Sequence, residues 1–584
     1  MGRTATRRRA LAGGAALFAL ALFALGSCAS REARPNLLLI VIDTLRADHL
    51  GCYGYPRHTS PAIDRLAVEG IRYENAFTPA PWTLPAFASL LTSRLPWEHG
   101  AVNDYLAPRA DLPSLAEVLR GAGYETAAFV SHIYTSRVYG FDAGFDRFED
   151  FGIGAGYLCD QGREPRAERV VGEAIRWIEE RTSGKPFFLL VHLFDPHWEY
   201  GAPEPFRGRF DPEYSGRADG SYRTIARFFA PESIPAARDL EHIVALYDGE
   251  VLYADAWLDT LFRALERRGE WERTAVVLTA DHGEEFREHE SMGHSFTFFD
   301  EVLRVPLIVR TPGERGGGAA VPELVSLLDL FPTLAEWAGA ETPPGVRGRS
   351  LLGKPETEPR FLEAGTIREG RYGRAVLQGT RKLIWDAGGF RFFDRVSDPG
   401  ETEDLLRDGL ALEDPEVRPL AARIEEEPGG GWRIVWEDPA LEGGAVFTGA
   451  IDPDGIIVEL LPLAGPPIHL EAADNGSFRF ASSRSGGLRL RLVPPGGAVR
   501  FRLLLDGAED PDRIRIGRDG FSPPAASFGL DPSSSPEGAL AAPETDRGDG
   551  PSYFVWKELD PPAPRLITLS AQEKERLRSL GYLE

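Results

Sequence analysis

Three stretches of the chain repeat one pattern of hydrophobic and polar positions. Asn36-Leu37-Leu38-Leu39-Ile40-Val41-Ile42-Asp43, Phe187 to Asp195 and Thr274 to His282 are each a mostly apolar run that ends in acids or histidines. An apolar run of strand length predicts a β-strand covered on both faces. Between the runs, apolar residues recur at helical spacing in Leu112 to Gly121, Ala167 to Arg181 and Leu240 to Arg268. Strands alternating with helices predict an α/β domain with a doubly wound, mostly parallel sheet and helices on both faces. Ligands of such sheets bind beyond the carboxyl ends of the strands, so Asp43, Asp195 and Asp281 are expected to converge.

The pattern changes further along. Arg304 to Arg310 and Phe390 to Asp394 continue the strands, Asp398-Pro399-Gly400-Glu401 reads as a turn, and the first domain is expected to span 35–410. From Gly429, short alternating segments such as Trp432 to Trp436, Ile456 to Leu461, Leu488 to Val493 and Val499 to Leu505 predict a small β-sandwich or barrel over 429–520. Residues 521–569, rich in Pro, Ser, Gly and acids, read as a linker, and 570–584 as a C-terminal helix docked on the body or on a partner.

Composition narrows the partners. The 65 basic and 89 acidic residues leave a net charge of -24, which excludes the basic footprint a nucleic acid needs. Near the N-terminus, Arg3, Arg7, Arg8 and Arg9 precede an apolar stretch from Ala10 to Leu25, the form of an export signal too short to span a membrane. Leu25-Gly26-Ser27-Cys28 resembles the bacterial lipobox. That resemblance implies a lipoprotein signal peptide over 1–28, lipidation of Cys28, and an exported protein anchored to a membrane surface facing the periplasm or the cell exterior. A plain cleaved signal is the alternative. Cys52 and Cys159 permit one disulfide in an oxidising compartment, lack metal-ligand spacing, and read as structural.

In Ala80-Pro81-Trp82-Thr83-Leu84-Pro85-Ala86-Phe87, a hydroxyl stands just ahead of a proline that can open a helix, which puts Thr83 at a helix N-terminus. The dipole there favours an anion, although a threonine at that place is more often only a cap. Its company decides the matter. Pro35 to Gly54, the Thr83 segment, Phe194 to Trp198, and Thr279-Ala280-Asp281-His282-Gly283-Glu284 followed by Gly293-His294 resemble, in order, the motifs of the sulfatase branch of the alkaline-phosphatase superfamily. Asp398-Pro399-Gly400-Glu401 and Leu577 to Leu583 resemble that family's closing turn and the tail of many bacterial members.

The resemblance implies a divalent metal, Zn, Mn or Ca, held by Asp43, Asp281 and His282 with the Thr83 oxygen, and a second ion in two-metal relatives. It makes Thr83 the nucleophile and assigns His197 and His294 to the substrate's charged oxygens or its leaving group, with Asp195 as a further substrate contact. The substrate expected is an anionic ester, glycan- or lipid-linked. One departure is chemical. Sulfatases carry Cys or Ser at position 83, followed by x-Pro-Ser-Arg, and convert it to formylglycine; here Ala86 and Phe87 replace the Ser and Arg. An esterified threonine lacks the second hydroxyl that expels sulfate, and Thr44 stands where a second acidic ligand is usual. Both features shift the expectation toward phosphoric esters, with sulfuric-ester hydrolysis, transfer of a phosphoryl headgroup to a surface glycan, and non-catalytic glycan binding as alternatives. Arg46 and Asp48 are expected to pair. His49, His58, His99, His132 and His192 could each line the cleft, although a lone histidine is more often a satisfied polar residue; His289 reads as a substrate contact or a solvated turn, and Trp82 and Trp198 as walls of the site or as chance neighbours.

Overall fold

A computed structural model describes residues 34–425 apart from 105, 153–164, 230–234, 314–316, 354–359, 369–370, 387–388 and 408, then separate strands between 431 and 566 and a last helix. The export segment with Cys28, Cys159 and residues 580–584 lie outside the described residues. The central sheet is built from β1 (Asn36–Ile42), β2 (Ile71–Phe77), β3 (Glu125–Phe129), β4 (Arg147–Glu149), β5 (Phe187–Leu193), β6 (Thr274–Ala280), β7 (Arg304–Arg310) and β8 (Ala319–Ser326). Their spatial order is β8-β2-β7-β6-β1-β5-β3-β4. Every pairing is parallel except the two that β7 makes with β2 and β6. The three apolar runs are thus the three adjacent central strands, and each of their residues is buried, as a sheet covered on both faces requires.

Among the described residues, six helices flank the sheet: α1 (Pro61–Glu69), α2 (Thr83–Thr92), α3 (Leu115–Gly121), α4 (Ala167–Glu180), α5 (Ala237–Arg267) and α6 (Leu330–Trp337). α1 and α4 pack on α5, whereas α2, α3 and α6 pack on one another. The long α5 buries Ile243, Leu246, Tyr247, Glu250, Val251, Ala254, Leu258, Leu261 and Leu265, one stripe at steps of three and four.

The first domain runs past residue 410. Four antiparallel strands, β9 (Phe361–Arg368), β10 (Arg371–Gln378), β11 (Arg381–Asp386) and β12 (Gly389–Asp394), bury Val376, Leu383, Trp385 and Phe392 beneath Val417, Leu420, Ala421 and Ile424, the apolar stripe that leads into and along α7 (Arg418–Glu425). The same sheet's Leu362, Ala364, Ala375, Leu377 and Ile384 pack on Phe77, Phe298, Phe299 and Leu303 of the α/β body. At this junction Lys382, fully buried, lies 2.9 Å from Asp300 and 2.8 Å from Glu401. The Asp398 to Glu401 turn therefore serves to deliver a carboxylate to an ion cluster between two sheets.

Beyond it, a five-stranded and a six-stranded sheet form the all-β region. Gly431–Glu437, Ile456–Ala464, Ser485–Val493 and Ala498–Leu505 contain the four expected strands. The linker expected over 521–569 is not continuous. Ser552–Glu558 pairs with Gly431–Glu437, and Arg565–Leu566 pairs with Leu106–Ala107. Five of the seven residues in Ser552–Glu558 are aromatic, β-branched or Ser, but the Pro, Gly and Asp around them dominate the composition of the stretch. The closing helix α8 (Ala571–Ser579) is capped by Ser570 and Glu573, and Leu569 and Leu577 join the main core.

Candidate active site

Thr83 is the first residue of α2, after Trp82 in extended conformation. The helix opens two residues before Pro85 and not at it; the first i→i−4 bond comes from Ala86 to Trp82, so the missing proline N–H leaves no gap. Trp82 donates to Thr366 at 3.0 Å, which ties the helix start to β9.

Around Thr83 the ends of β1 and β6 meet. His282 Nδ1 donates to the Gly283 carbonyl at 2.9 Å, which fixes the tautomer and leaves the Nε2 lone pair pointing into the cluster. That Nε2 accepts from the Thr83 hydroxyl at 3.3 Å and lies 3.5 Å from Asp43 Oδ1 and 3.7 Å from Asp281 Oδ2. Asp281 Oδ1 is held by the backbone N–H of His282 at 2.9 Å and of Thr44 at 3.4 Å. Thr44 has φ 56°, a left-handed conformation unfavourable for a β-branched residue, and the Tyr247 hydroxyl holds its carbonyl at 2.8 Å.

Two of the five histidines that sequence alone leaves between cleft and ordinary polar roles belong to this cluster. His192 Nε2 and His132 Nδ1 each lie 3.9 Å from Asp43 Oδ2. All of these side chains are fully buried. Burial pushes Asp281 above the usual carboxylate range, and burial together with His282 pushes His192 down to about 3. Asp281 Oδ2 and His192 Nε2 have no hydrogen-bond partner. A desolvated carboxylate oxygen with no donor costs several kcal/mol unless a cation compensates it, so this donor set fits a divalent metal. Asp43, His192 and Asp281 offer ligand atoms within 4.8 Å of one another.

Two more histidines line the same side. The His294 ring lies 4.4 Å from that of His282 and 5.0 Å from that of His197. His197 stacks between Phe194 and Trp198 and donates through Nδ1 to the Trp198 carbonyl at 2.5 Å. His294 Nδ1 lies 2.8 Å from Glu284 Oε1, and Glu284 Oε2 accepts from Tyr200 at 3.2 Å. Burial pushes Glu284 well above the usual carboxylate range. Glu284 was read only as part of a motif, although a carboxylate two residues after a ligand histidine is a signal.

Asp195 does not converge with the other two acids. β1 and β5 pair Ile42 with Leu193, so the residue level with Asp43 is Phe194. One residue further on, Asp195 accepts from the Ala167 N–H at 2.7 Å, at the start of α4, and meets Arg166 at 3.3 Å. Arg166 also reaches Glu250, and burial raises both carboxylates, Glu250 to about 8. The remaining candidates sit in structural pairs. Arg46 bridges Asp48 and Glu288, His49 meets Asp248, His99 meets Ser89, and His289 faces Glu301. His58 is exposed, and Cys52 is a half-buried free thiol that burial pushes up to about 12.

A family model described as sulfatase matches residues 35–340, just over half of the chain. The chain belongs to the sulfatase family. It is therefore a hydrolase of the alkaline-phosphatase superfamily, with the metal-type cluster at the position the fold reserves for ligands. Among its relatives, the uncharacterized sulfatase YidJ of Escherichia coli is 25% identical over 426 residues, covering 64% of this chain and 84% of its own. The multifunctional alkaline phosphatase superfamily protein PehA of Trinickia caryophylli is 27% identical over 403 residues, covering 55% and 78%. The phosphonate monoester hydrolase of Agrobacterium radiobacter shares the fold, with a TM-score of 0.54 and 24% identity over 64% of this chain and 92% of its own.

Proposed function

We propose that this sulfatase-family hydrolase cleaves phosphoric esters through Thr83 as nucleophile, with a covalent phosphothreonine between two half-reactions. The observation that carries the proposal is the Thr83 hydroxyl on the first residue of α2, 3.3 Å from His282 Nε2, in a chain whose Ala86 and Phe87 depart from the formylglycine signature. Asp43, Asp281 and His282 would hold a divalent cation, which when bound would supply positive charge that favours ionised Thr83 and offsets the charge of the ester oxygens. Thr83 Oγ1, its proton released to water, forms the new bond to phosphorus, and the bond to the ester oxygen breaks. His197 and His294 bind the charged oxygens and return a proton to the departing alkoxide. Water then cleaves the phosphothreonine and regenerates the hydroxyl. The start of α2 favours the anion through its dipole.

A second reading, sulfuric-ester hydrolysis, is supported by the relatives named as sulfatases. PehA, a multifunctional member of the same superfamily, is a relative that supports testing more than one substrate class. One preparation assayed on aryl phosphodiester, phosphomonoester and sulfate substrates decides between them. Phosphoric-ester turnover that falls by about 10³-fold or more in Thr83→Ala supports the proposal; dominant sulfate turnover overturns the phosphate preference. We further propose export and membrane anchoring through lipidated Cys28, from the arginine-led apolar segment and Leu25-Gly26-Ser27-Cys28. Cys28→Ala then moves the protein from the membrane to the soluble fraction, and unchanged fractionation contradicts the anchor.

A further inference from the structure

His192 has a place that a structural histidine does not need. It is fully buried in β5, in register with Val41, two residues before Asp43. The Ser131 hydroxyl donates its hydrogen to the His192 carbonyl at 2.8 Å, so its contact with His192 Nδ1 at 3.5 Å leaves the hydroxyl as acceptor. The proton therefore resides on Nδ1, and Nε2 turns a lone pair toward Asp43 with no hydrogen donor opposite it. Phe87 packs edge-on against the imidazole at 5.6 Å between ring centres. Phe87 is also the residue that stands where the sulfatase signature carries arginine. Its apolar ring packs on the His192 imidazole and brings no positive charge there.

We propose that His192 is a further protein ligand of the active-site cation, and that the resulting set of two imidazoles and two carboxylates selects a borderline transition ion over calcium or magnesium. The inference rests on the metal-dependent reading of the site and deepens it by giving the ion a chemical class. The required reach is short: the ligand atoms of Asp43, His192 and Asp281 lie within 4.8 Å of one another, close to the span of two ligands placed about 2.1 Å from one ion. Calcium takes six to eight oxygen ligands, whereas imidazole suits Zn and its neighbours in the first transition row. The Ser131 contact is the outer partner that such a ligand histidine uses to hold its ring and tautomer.

The test uses the full chain stripped with chelator, then titrated with zinc alone and with calcium alone against a chromophoric competitor. Zinc affinity is expected to fall at least about tenfold in His192→Ala while calcium affinity changes less than about threefold. Zinc binding that is unchanged in a folded His192→Ala protein overturns the inference and leaves the metal-dependent reading intact. Failure of the wild-type chain to bind any divalent ion overturns both. Zinc-edge X-ray absorption on the wild-type chain needs no variant at all: scattering from at least two imidazoles supports the ligand, and scattering from one overturns it.

Discussion

The functional geometry rests on side chains whose ring nitrogens are fixed by neighbours. His282 is set by the Gly283 carbonyl, His197 by the Trp198 carbonyl and His294 by Glu284. Glu284 is a positioning residue: buried, it holds the His294 ring from behind while Tyr200 occupies its other oxygen. Glu284→Gln keeps an oxygen near Nδ1 and removes the carboxylate. If His294 protonates the leaving group, this variant loses about 10²-fold in kcat on substrates with poor leaving groups and much less on nitrophenyl esters, with KM little changed. An equal loss across leaving groups assigns Glu284 to structure alone. Asp43, Thr83, Asp281 and His282 were legible in the sequence because strand ends and motif order agree on them. His192 and His132 were not, because a histidine inside a strand has no spacing that sets it apart. Asp195 misled because one residue of register beyond Phe194 turns it to Arg166 and α4.

At the scale of elements, the long helix α5 ties the others together through buried acids. Asp255, on its buried stripe, accepts from the N–H groups of Ala62 and Ile63 and so caps α1, whose own Ser60 makes no side-chain cap. Burial raises Asp255 to about 7, above its unfolded value. A carboxylate with a raised folded pKa contributes its full stability at low pH, and that contribution is lost as pH rises through the folded value. The window here runs from about pH 4 to about pH 7. Asp255→Asn, which can still accept both bonds, is expected to gain stability relative to wild type as pH rises from 5 to 8, by at most about 1.4 kcal/mol per pH unit within the window, read as a growing difference in Tm. Parallel Tm curves for the two proteins contradict this. Elements were read well where periodicity was strong, as in β1, β5, β6 and α4. The strand at 552–558 was missed because its flanking composition masked a short β pattern.

At the scale of the molecule, the α/β body and the sheet of β9 to β12 are joined by apolar packing and by one buried cation. Lys382 faces both Asp300 and Glu401, and Arg395 adds a second contact to Asp300. Removing the lysine leaves Glu401 without its cation while Asp300 keeps Arg395, so Lys382→Met is expected to destabilise the chain by about 3–5 kcal/mol, read as a lower urea midpoint. An unchanged midpoint shows that the clamp contributes nothing net. The sequence motif at 398–401 was visible, but its purpose depends on Asp300 and Lys382, which no local pattern connects to it. The same junction supports the active site, since Thr366 on β9 holds Trp82 beside Thr83.

The central claim, that Thr83 is the nucleophile, is tested most directly by acid-quenching the enzyme during turnover of a phosphodiester and mapping the adduct by peptide mass. A phosphoryl adduct on the peptide containing Thr83, absent from Thr83→Ala, is the predicted result. An adduct on another residue, or full turnover by Thr83→Ala, contradicts it.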